Sequence, residues 1–177
     1  MPDLDETDGE ISVNQDMHLE QQPDNTFLIT EKIIIFTVLG KQYGFPSGII
    51  AEIVRFDTVF PLPLLPLYLP GVVSRYSIPY ALFDIGVLFN NIQSPRNKIL
   101  FFKEEFERIA ILIDDVTDIA DISIKDFISA DIEDINCKPD FSTATSFKWN
   151  NEVVLLLDAR SILNHVTKDI NIKKDFY

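Results

Sequence analysis

Cysteine, histidine and glycine are all scarce in this chain of 177 residues, and each scarcity excludes a class of site. The single cysteine, Cys137, can form no internal disulfide, which fits a reducing cytosol. It does not combine with His18 and His165 into the spacing of zinc ligands, and we expect both histidines to be structural or surface residues. Six glycines build no glycine-rich phosphate loop. The sequence therefore predicts no cofactor and no metal site.

Basic residues are outnumbered by acidic ones, and long hydrophobic runs are missing. There are 15 Lys and Arg against 28 Asp and Glu, a net charge of −13. This argues against nucleic acid and anionic lipid as partners, because binding either needs clustered basic residues. Prolines interrupt the longest apolar run, residues 62–73, so no stretch reaches the roughly 18 residues of a membrane span. The first residues also lack the basic and apolar regions of a secretory signal, so we expect a cytoplasmic protein with no direct membrane insertion.

The negative charge is concentrated at the amino terminus. Residues 1–26 carry eight acidic residues and no Lys or Arg, which predicts an acidic disordered tail. Hydrophobic residues make up 46% of the chain, enough for one folded domain, which we place at residues 27–167. Residues 168–177 are assigned to a C-terminal tail.

The segment that organises the domain is residues 43–89, which is nearly free of charge. Five prolines between Pro61 and Pro79 exclude a long helix, because each interior proline removes a backbone hydrogen bond. The abundant Val, Ile, Phe and Tyr favour short strands packed on a core. We interpret this segment as half of a small β-barrel that carries a binding surface.

The whole chain predicts nine or ten strands in two groups, each group ending in a short helix that follows an aspartate. Strands are predicted at residues 32–39, 42–45, 52–61, 72–76, 78–83, 98–102, 108–113, 116–122, 146–149 and 152–157. Residues 64–69 are expected to form one helical turn, and residues 129–142 a loop. Asp84 is predicted to cap a helix at residues 85–89, and the second helix covers residues 158–165. The two groups resemble each other, with LFDIGVLF at residues 82–89 and LLDARSIL at residues 156–163.

Acidic residues offer the remaining chemistry. Asp114 and Asp115 could suggest a carboxylate pair, but neighbours on a strand point to opposite faces, which favours a turn or surface role. An acidic cluster follows, and we favour a solvated face over a patch that steers a basic partner. Its members are Asp114, Asp115, Asp118, Asp121, Asp126, Asp131, Glu133 and Asp134. A small-ligand-binding β-barrel, or an enzyme that uses these carboxylates, is the alternative from a different functional class.

Six motifs in order resemble the CheW-like domain family over about residues 31–166. They are FTVLGKQYGF (36–45), IAEIV (50–54), LYLPGVV (67–73), LFDIGVLF (82–89), ILIDDVTDI (111–119) and VVLLLDARSIL (153–163). The resemblance implies a mainly β fold of two five-stranded SH3-like β-barrels with short helices around a shared apolar core. It also implies a non-enzymatic scaffold that couples the cytoplasmic tips of methyl-accepting chemoreceptors to the regulatory domain of the histidine kinase CheA, recruited to membrane-attached receptor arrays.

The resemblance also implies site residues. Ile50, Glu52 and Ile53 fall where the family presents part of its partner surface, and Gly71 begins the strand that matches the family's Gly-Val. The aspartates Asp84 and Asp114 are assigned to helix capping and turn structure.

The sequence departs from the family at the segment after Gly-Val. Tyr76 and Ser77 stand where the family has Arg-Gly, Ala81 stands in place of the family proline, and Asp115 stands where a glycine is common. Arg75 is a doubtful substitute for the arginine, because a strand neighbour points to the other face. We therefore include Arg75, Tyr76 and Ser77 in an altered partner surface. The alternative is a CheW-like regulator of an accessory chemosensory or pilus-motility system with a different partner.

Overall fold

The computed structural model describes residues 29–95, 97–129 and 142–174, in which twelve strands and two α-helices are formed. The strands are β1 Thr30–Val38, β2 Lys41–Pro46, β3 Ile50–Arg55, β4 Val59–Phe60, β5 Gly71–Arg75, β6 Ile78–Asp84, β7 Lys98–Phe102, β8 Ile109–Ile113, β9 Asp115–Ser123, β10 Ile128–Ser129, β11 Ser142–Trp149 and β12 Glu152–Leu157. The helices are α1 Ile85–Asn90 and α2 Ala159–Lys174. Single 3₁₀ turns lie at Ser47–Ile49, Glu104–Phe106 and Ile124–Asp126.

The strands form two sheets of six. One has the order β10-β11-β12-β2-β1-β9, and we call it the terminal lobe because both ends of the chain contribute to it. The other has the order β3-β7-β8-β6-β5-β4 and is the central lobe. Each sheet has five longer strands and one strand of two residues, β10 or β4. The predicted mainly β fold with two SH3-like barrels is confirmed, with a short sixth strand in each.

Contacts between distant strands of each sheet show that both sheets curl. In the central lobe, Arg75 on β5 forms an ion pair with Glu52 on β3, although three strands separate β3 from β5 in the sheet. In the terminal lobe, the indole Nε1 of Trp149 on β11 donates to Asp118 on β9 at 3.0 Å. These side chains join strands near opposite ends of an open sheet, as barrel geometry requires.

The apolar core has three parts, which follow from the alternation of side chains along the strands. On β1, Ile33 and Ile35 fill the interior of the terminal lobe, while Ile34 and Phe36 face a larger core between the lobes. β7 alternates in the same way, so that Leu100 and Phe102 join the inter-lobe core. A strand buried on both faces needs apolar residues there, which explains the uninterrupted run of residues 33–36 in the middle of β1.

Both helices belong to the inter-lobe core. α1 is buried along five of its six residues. α2 contributes Ala159, Ile162 and Val166. The two lobes are therefore held together by one continuous apolar interior.

Three local predictions need correction. The strand predicted at residues 52–61 is divided into β3 and β4 by an irregular segment that contains Asp57. Residues 64–69 form two tight turns rather than a helical turn, because residues that precede a proline disfavour the helical conformation and Pro66 and Pro70 follow here. The second helix begins at Ala159 and continues to Lys174, so residues 168–174 form its last turns. Most of the loop predicted at residues 129–142, with Cys137, lies outside the described residues, as does the tail at residues 1–26.

Candidate functional site

The hairpin between β5 and β6 has an unusual turn. Arg75 pairs with Ile78, so Tyr76 and Ser77 are the two loop residues, and their φ angles are 50° and 63°. Positive φ at both positions is the pattern of a type I′ turn, in which Asn and Gly are favoured. The corresponding hairpin of the terminal lobe follows this preference with Asn150 and Asn151, at 49° and 65°.

Arg75 joins this turn to β3. Its Nε donates to Oε1 of Glu52, and its Nη2 donates to Oε2 at 2.7 Å, a bidentate pair. Nη2 also donates to the Tyr76 hydroxyl at 3.2 Å, and the guanidinium carbon lies 4.4 Å from the centre of the Tyr76 ring. Strand alternation predicts that Arg75 and Tyr76 point to opposite faces, but their side chains are in contact, because the chain reverses directly after Arg75 and the alternation does not extend into the turn.

The contacts between Glu52, Arg75 and Tyr76 favour the charged forms of Glu52 and Arg75. The hydrogen bonds from Arg75, with a smaller contribution from Tyr76, hold the pKa of Glu52 below its ordinary value. The bond to Glu52 in turn raises the pKa of Arg75. Both side chains are therefore ionised at neutral pH, so this pair suits the fixing of a surface and not proton transfer.

The predicted β3 residues lie at the border of the inter-lobe core. Ile50 is buried in that core, and Ile53 packs against it while partly exposed. Val116 on β9 occupies the same border from the terminal lobe, and Ile119 is 55% exposed on that strand. Sequence reasoning missed Val116 and Ile119 as surface candidates.

A signal for the missed residues was present in the sequence. IAEIV at residues 50–54 and VTDIA at residues 116–120 both place a carboxylate before an isoleucine. In both strands that carboxylate bonds to the residue just before a two-residue hairpin turn, Arg75 in one lobe and Trp149 in the other.

Gly71 has a structural role. It is buried with φ at +146°, and a Cβ there would lie 2.2 Å from the carbonyl oxygen of Phe60. Only glycine allows β5 to pass so close to β4. Gly71 therefore fixes the position of β5 at the base of the hairpin, whereas Tyr76 is 77% exposed at the tip of the hairpin.

Asp84 and Asp114 hold turns together. Asp84 is the N-cap of α1, and its carboxylate also accepts from the backbone N–H and the hydroxyl of Ser94. The backbone N–H of Asp114 donates to Thr37 at 2.9 Å, between β8 and β9. Burial raises the pKa of Asp114, and the backbone amides of Leu39 and Gly40 oppose that effect.

Asp115 does not form a catalytic pair with Asp114. Its carboxylate accepts from Lys98, and this bond lowers the pKa of Asp115. Across residues 29–95, 97–129 and 142–174, no group of three or more His, Cys, Asp or Glu side chains is placed to hold a metal ion.

Comparison with known proteins identifies the family. A family model described as the CheW-like domain matches residues 32–167. The chain belongs to the CheW-like domain family. It is therefore a non-enzymatic scaffold of chemotaxis-type signalling.

The fold of a solved CheW protein agrees with this assignment. The scaffolding protein TtCheW from Thermoanaerobacter tengcongensis superimposes with a TM-score of 0.64 at 13% sequence identity, covering 73% of this chain and 90% of that one. A search of curated proteins gave no match. In the described part of this CheW-like chain, neither helix has the length and apolar character that crossing a bilayer demands.

Proposed function

We propose that this protein is a cytoplasmic adaptor that couples chemoreceptor tips to the regulatory domain of a CheA-type histidine kinase, through a partner surface altered at the β5–β6 hairpin. The observation that carries the proposal is the placement of Tyr76. It stands at the tip of a hairpin, 77% exposed, in a backbone conformation that a bulky residue rarely adopts. Backbone strain of this kind persists where the surroundings enforce it and concentrates at binding sites.

The neighbours of Tyr76 support a contact role. Arg75 and Glu52 form a rigid base beneath the ring, and Ile53 extends the surface along β3. A ring held in one orientation loses little conformational entropy on binding, and tyrosine and arginine are enriched among the residues that dominate interface energies. A scaffold needs only about 800 Å² of contact per partner, because many weak contacts in an array act together.

Direct binding measurements test the proposal. The full-length protein would be titrated by calorimetry against the purified regulatory domain of a CheA-type kinase and, separately, against a chemoreceptor tip fragment. We expect Tyr76→Ala to weaken binding to at least one of them about tenfold, or about 1.4 kcal/mol. Tyr76→Arg, which introduces the family side chain, should change the affinity with little effect on Tm.

Ile124→Ala is the matched control, since Ile124 is 50% exposed on the terminal lobe away from the hairpin. It should change neither affinity nor Tm. The proposal fails if Tyr76→Ala binds both partners like the wild type, or if it loses folding and binding together.

The replacement of the family Arg-Gly by Tyr76 and Ser77 favours one alternative. The protein would then serve an accessory chemosensory or pilus-motility system with another kinase or another partner. In the same titrations this alternative predicts binding to the receptor tip without binding to the CheA regulatory domain.

A further inference from the structure

We propose that a gap in the terminal lobe, between the first residues of β2 and β12, binds a free α-amino acid with an apolar side chain. The gap has a volume of about 260 Å³. Its lining residues all belong to the terminal lobe, whereas Tyr76 lies on the central lobe, so this site is separate from the proposed partner surface.

The gap exists because the parallel pairing of β2 with β12 is short. The pairing joins only two residue pairs, at Tyr43 and Gly44 of β2. Both strands begin directly after a two-residue turn, and each is held at this end by its own antiparallel neighbour, β1 or β11. The two strands can therefore separate here without loss of their other backbone hydrogen bonds.

The floor of the gap is apolar. Tyr43 and Leu155 are buried and belong to the inter-lobe core, while Val153 is 57% exposed at the side of the gap. Because side chains alternate along a strand, Val153 and Leu155 lie on the same face of β12. A concave apolar lining favours an apolar ligand group, and the volume lies below the roughly 300–1,000 Å³ of sites for drug-sized ligands. The ligand is therefore a small molecule.

Two side chains of opposite charge line the same gap, Lys41 from β2 and Glu152 from β12. Within the part of the chain that the structure describes, neither has a partner of opposite charge at ion-pair distance. A small molecule with one carboxylate and one ammonium group complements them, since its carboxylate can bind Lys41 and its ammonium group Glu152. Together with the apolar floor, this charge pattern matches an α-amino acid with an apolar side chain.

Gln42 supplies a further recognition group. Its Nε2 donates to Oε2 of Glu152 across the gap, and this bond fixes the orientation of the amide, because the flipped amide would place its oxygen against the carboxylate. Oε1 of Gln42 is then an enclosed acceptor to which no described group donates, which is unfavourable. An ammonium group carries three N–H donors, so it can serve both Gln42 and Glu152.

A peptide strand does not fit this site. Backbone pairing resumes at Tyr43 and the bond from Gln42 to Glu152 spans the gap, so the edge of β2 that is unpaired towards β12 is limited to Lys41 and Gln42. Strand addition draws its affinity from main-chain hydrogen bonds along a longer free edge. A single amino acid is bound by the side chains alone.

Titrations with leucine and its truncated analogues test the proposal. Isotope-labelled full-length protein would be titrated with L-leucine, and the shifts of its backbone amide signals followed by nuclear magnetic resonance. We expect saturable shifts at residues 41–43 and 152–155. Isocaproate lacks the ammonium group of leucine, isoamylamine lacks the carboxylate and glycine lacks the apolar side chain, so each should bind about tenfold more weakly or worse.

Substitutions in the gap assign each ligand group to its side chain. Lys41→Gln and Glu152→Gln should each weaken leucine binding about tenfold and melt like the wild type, because both positions are exposed. Lys41→Gln should also lose the preference for leucine over isoamylamine, and Glu152→Gln the preference over isocaproate. Val153→Trp should abolish binding by filling the gap. Lys125→Gln is the matched control, since it removes a positive charge from an exposed site of the terminal lobe outside the gap, and it should bind leucine normally.

The proposal is overturned if L-leucine causes no saturable shifts, if the shifts lie outside the gap, or if isocaproate or isoamylamine binds the wild type as tightly as leucine. It is also overturned if the folded Lys41→Gln and Glu152→Gln variants bind leucine like the wild type.

Discussion

At the residue scale, the buried side chain of Asp84 fixes both the start of α1 and the loop that follows this helix. Its carboxylate accepts from the N–H of Val87 and from both the N–H and the hydroxyl of Ser94. The cap fixes the start of α1 inside the inter-lobe core, and the Ser94 bonds fix the loop that follows the helix. A buried carboxylate is tolerated here because its oxygens are hydrogen-bonded.

We predict that Asp84→Ala lowers the free energy of unfolding by about 3 kcal/mol, since it removes a cap and leaves buried donors without acceptors. Asp158 is the matched control. It accepts from the N–H of Arg160 and the hydroxyl of Ser161 at the start of α2 but is only half-buried. Asp158→Ala should cost about 1 kcal/mol. Urea denaturation measures both, and equal losses would contradict the role given to Ser94.

The Glu52–Arg75 pair predicts a pH dependence of stability. The pKa of Glu52 in the folded protein lies below its ordinary 4.5. A lowered folded pKa means that the stabilisation is complete above 4.5 and is lost as the pH falls through the lowered value. Glu52→Gln should therefore reduce the free energy of unfolding by about 0.5–1 kcal/mol at neutral pH, because the pair is partly exposed.

The difference between Glu52→Gln and the wild type should shrink as the pH falls below 4.5. Asp121→Asn is the control, since Asp121 pairs with Lys32 at 3.2 Å through side chains that are both more than half exposed. It should change stability less at neutral pH. A Glu52→Gln deficit that stays constant from neutral to acid pH would show that the ion pair contributes nothing.

At the scale of elements, the two equivalent hairpins differ in how well their turns suit their sequences. Asn150 and Asn151 accept positive φ readily, whereas Ser77 takes φ of 63° without that advantage. Ser77→Gly should raise the free energy of unfolding by about 0.5–1 kcal/mol. Asn151→Gly should change it less. Thermal melts compare the two, and a destabilised Ser77→Gly would mean that the turn is not strained.

Sequence predicted the elements whose signal is local. The strands of β1, β7 and β8 follow from apolar runs, and the final hairpin follows from the conformational freedom of Asn150 and Asn151. The loop at residues 61–70 was harder, because its leucines suggested a helical turn while the prolines that follow them forbid it.

The positions where helices and strands end, and the contacts within the candidate site, depend on tertiary contacts that the sequence pattern does not contain. Among the described side chains of α2, Val166 is the last one in the inter-lobe core, and the bond from Tyr68 to Asp169 holds the following turn of the helix against the loop. The ion pair between Arg75 and Glu52 depends on the curl of the central sheet and on the chain reversal at Tyr76. Neither is encoded in the alternation of a single strand.

At the scale of the whole molecule, the two lobes have the same strand order. Read from β3, the central sheet runs β3-β7-β8-β6-β5-β4, and read from β9, the terminal sheet runs β9-β1-β2-β12-β11-β10. The central lobe consists of β3 to β6, then α1, then the pair β7 and β8. The terminal lobe consists of β9 to β12 and then α2, but its corresponding pair, β1 and β2, comes from the start of the chain. The parallel pairings of β6 with β8 and of β12 with β2 correspond. The terminal lobe therefore cannot form until β1 pairs with β9 and β2 pairs with β12.

This arrangement predicts that the lobes unfold as one unit. Leu112 is 1% exposed inside the central lobe, while Trp149, the single tryptophan, reports on the terminal lobe. Leu112→Ala should cost about 2–5 kcal/mol, and it should lower the unfolding midpoint of Trp149 fluorescence as much as that of far-ultraviolet circular dichroism. Ile124→Ala, at an exposed position, should move neither midpoint. An unchanged fluorescence midpoint in Leu112→Ala would mean that the terminal lobe is stable alone, and that the inter-lobe core, to which Phe36 and Phe102 belong, does not couple the two barrels.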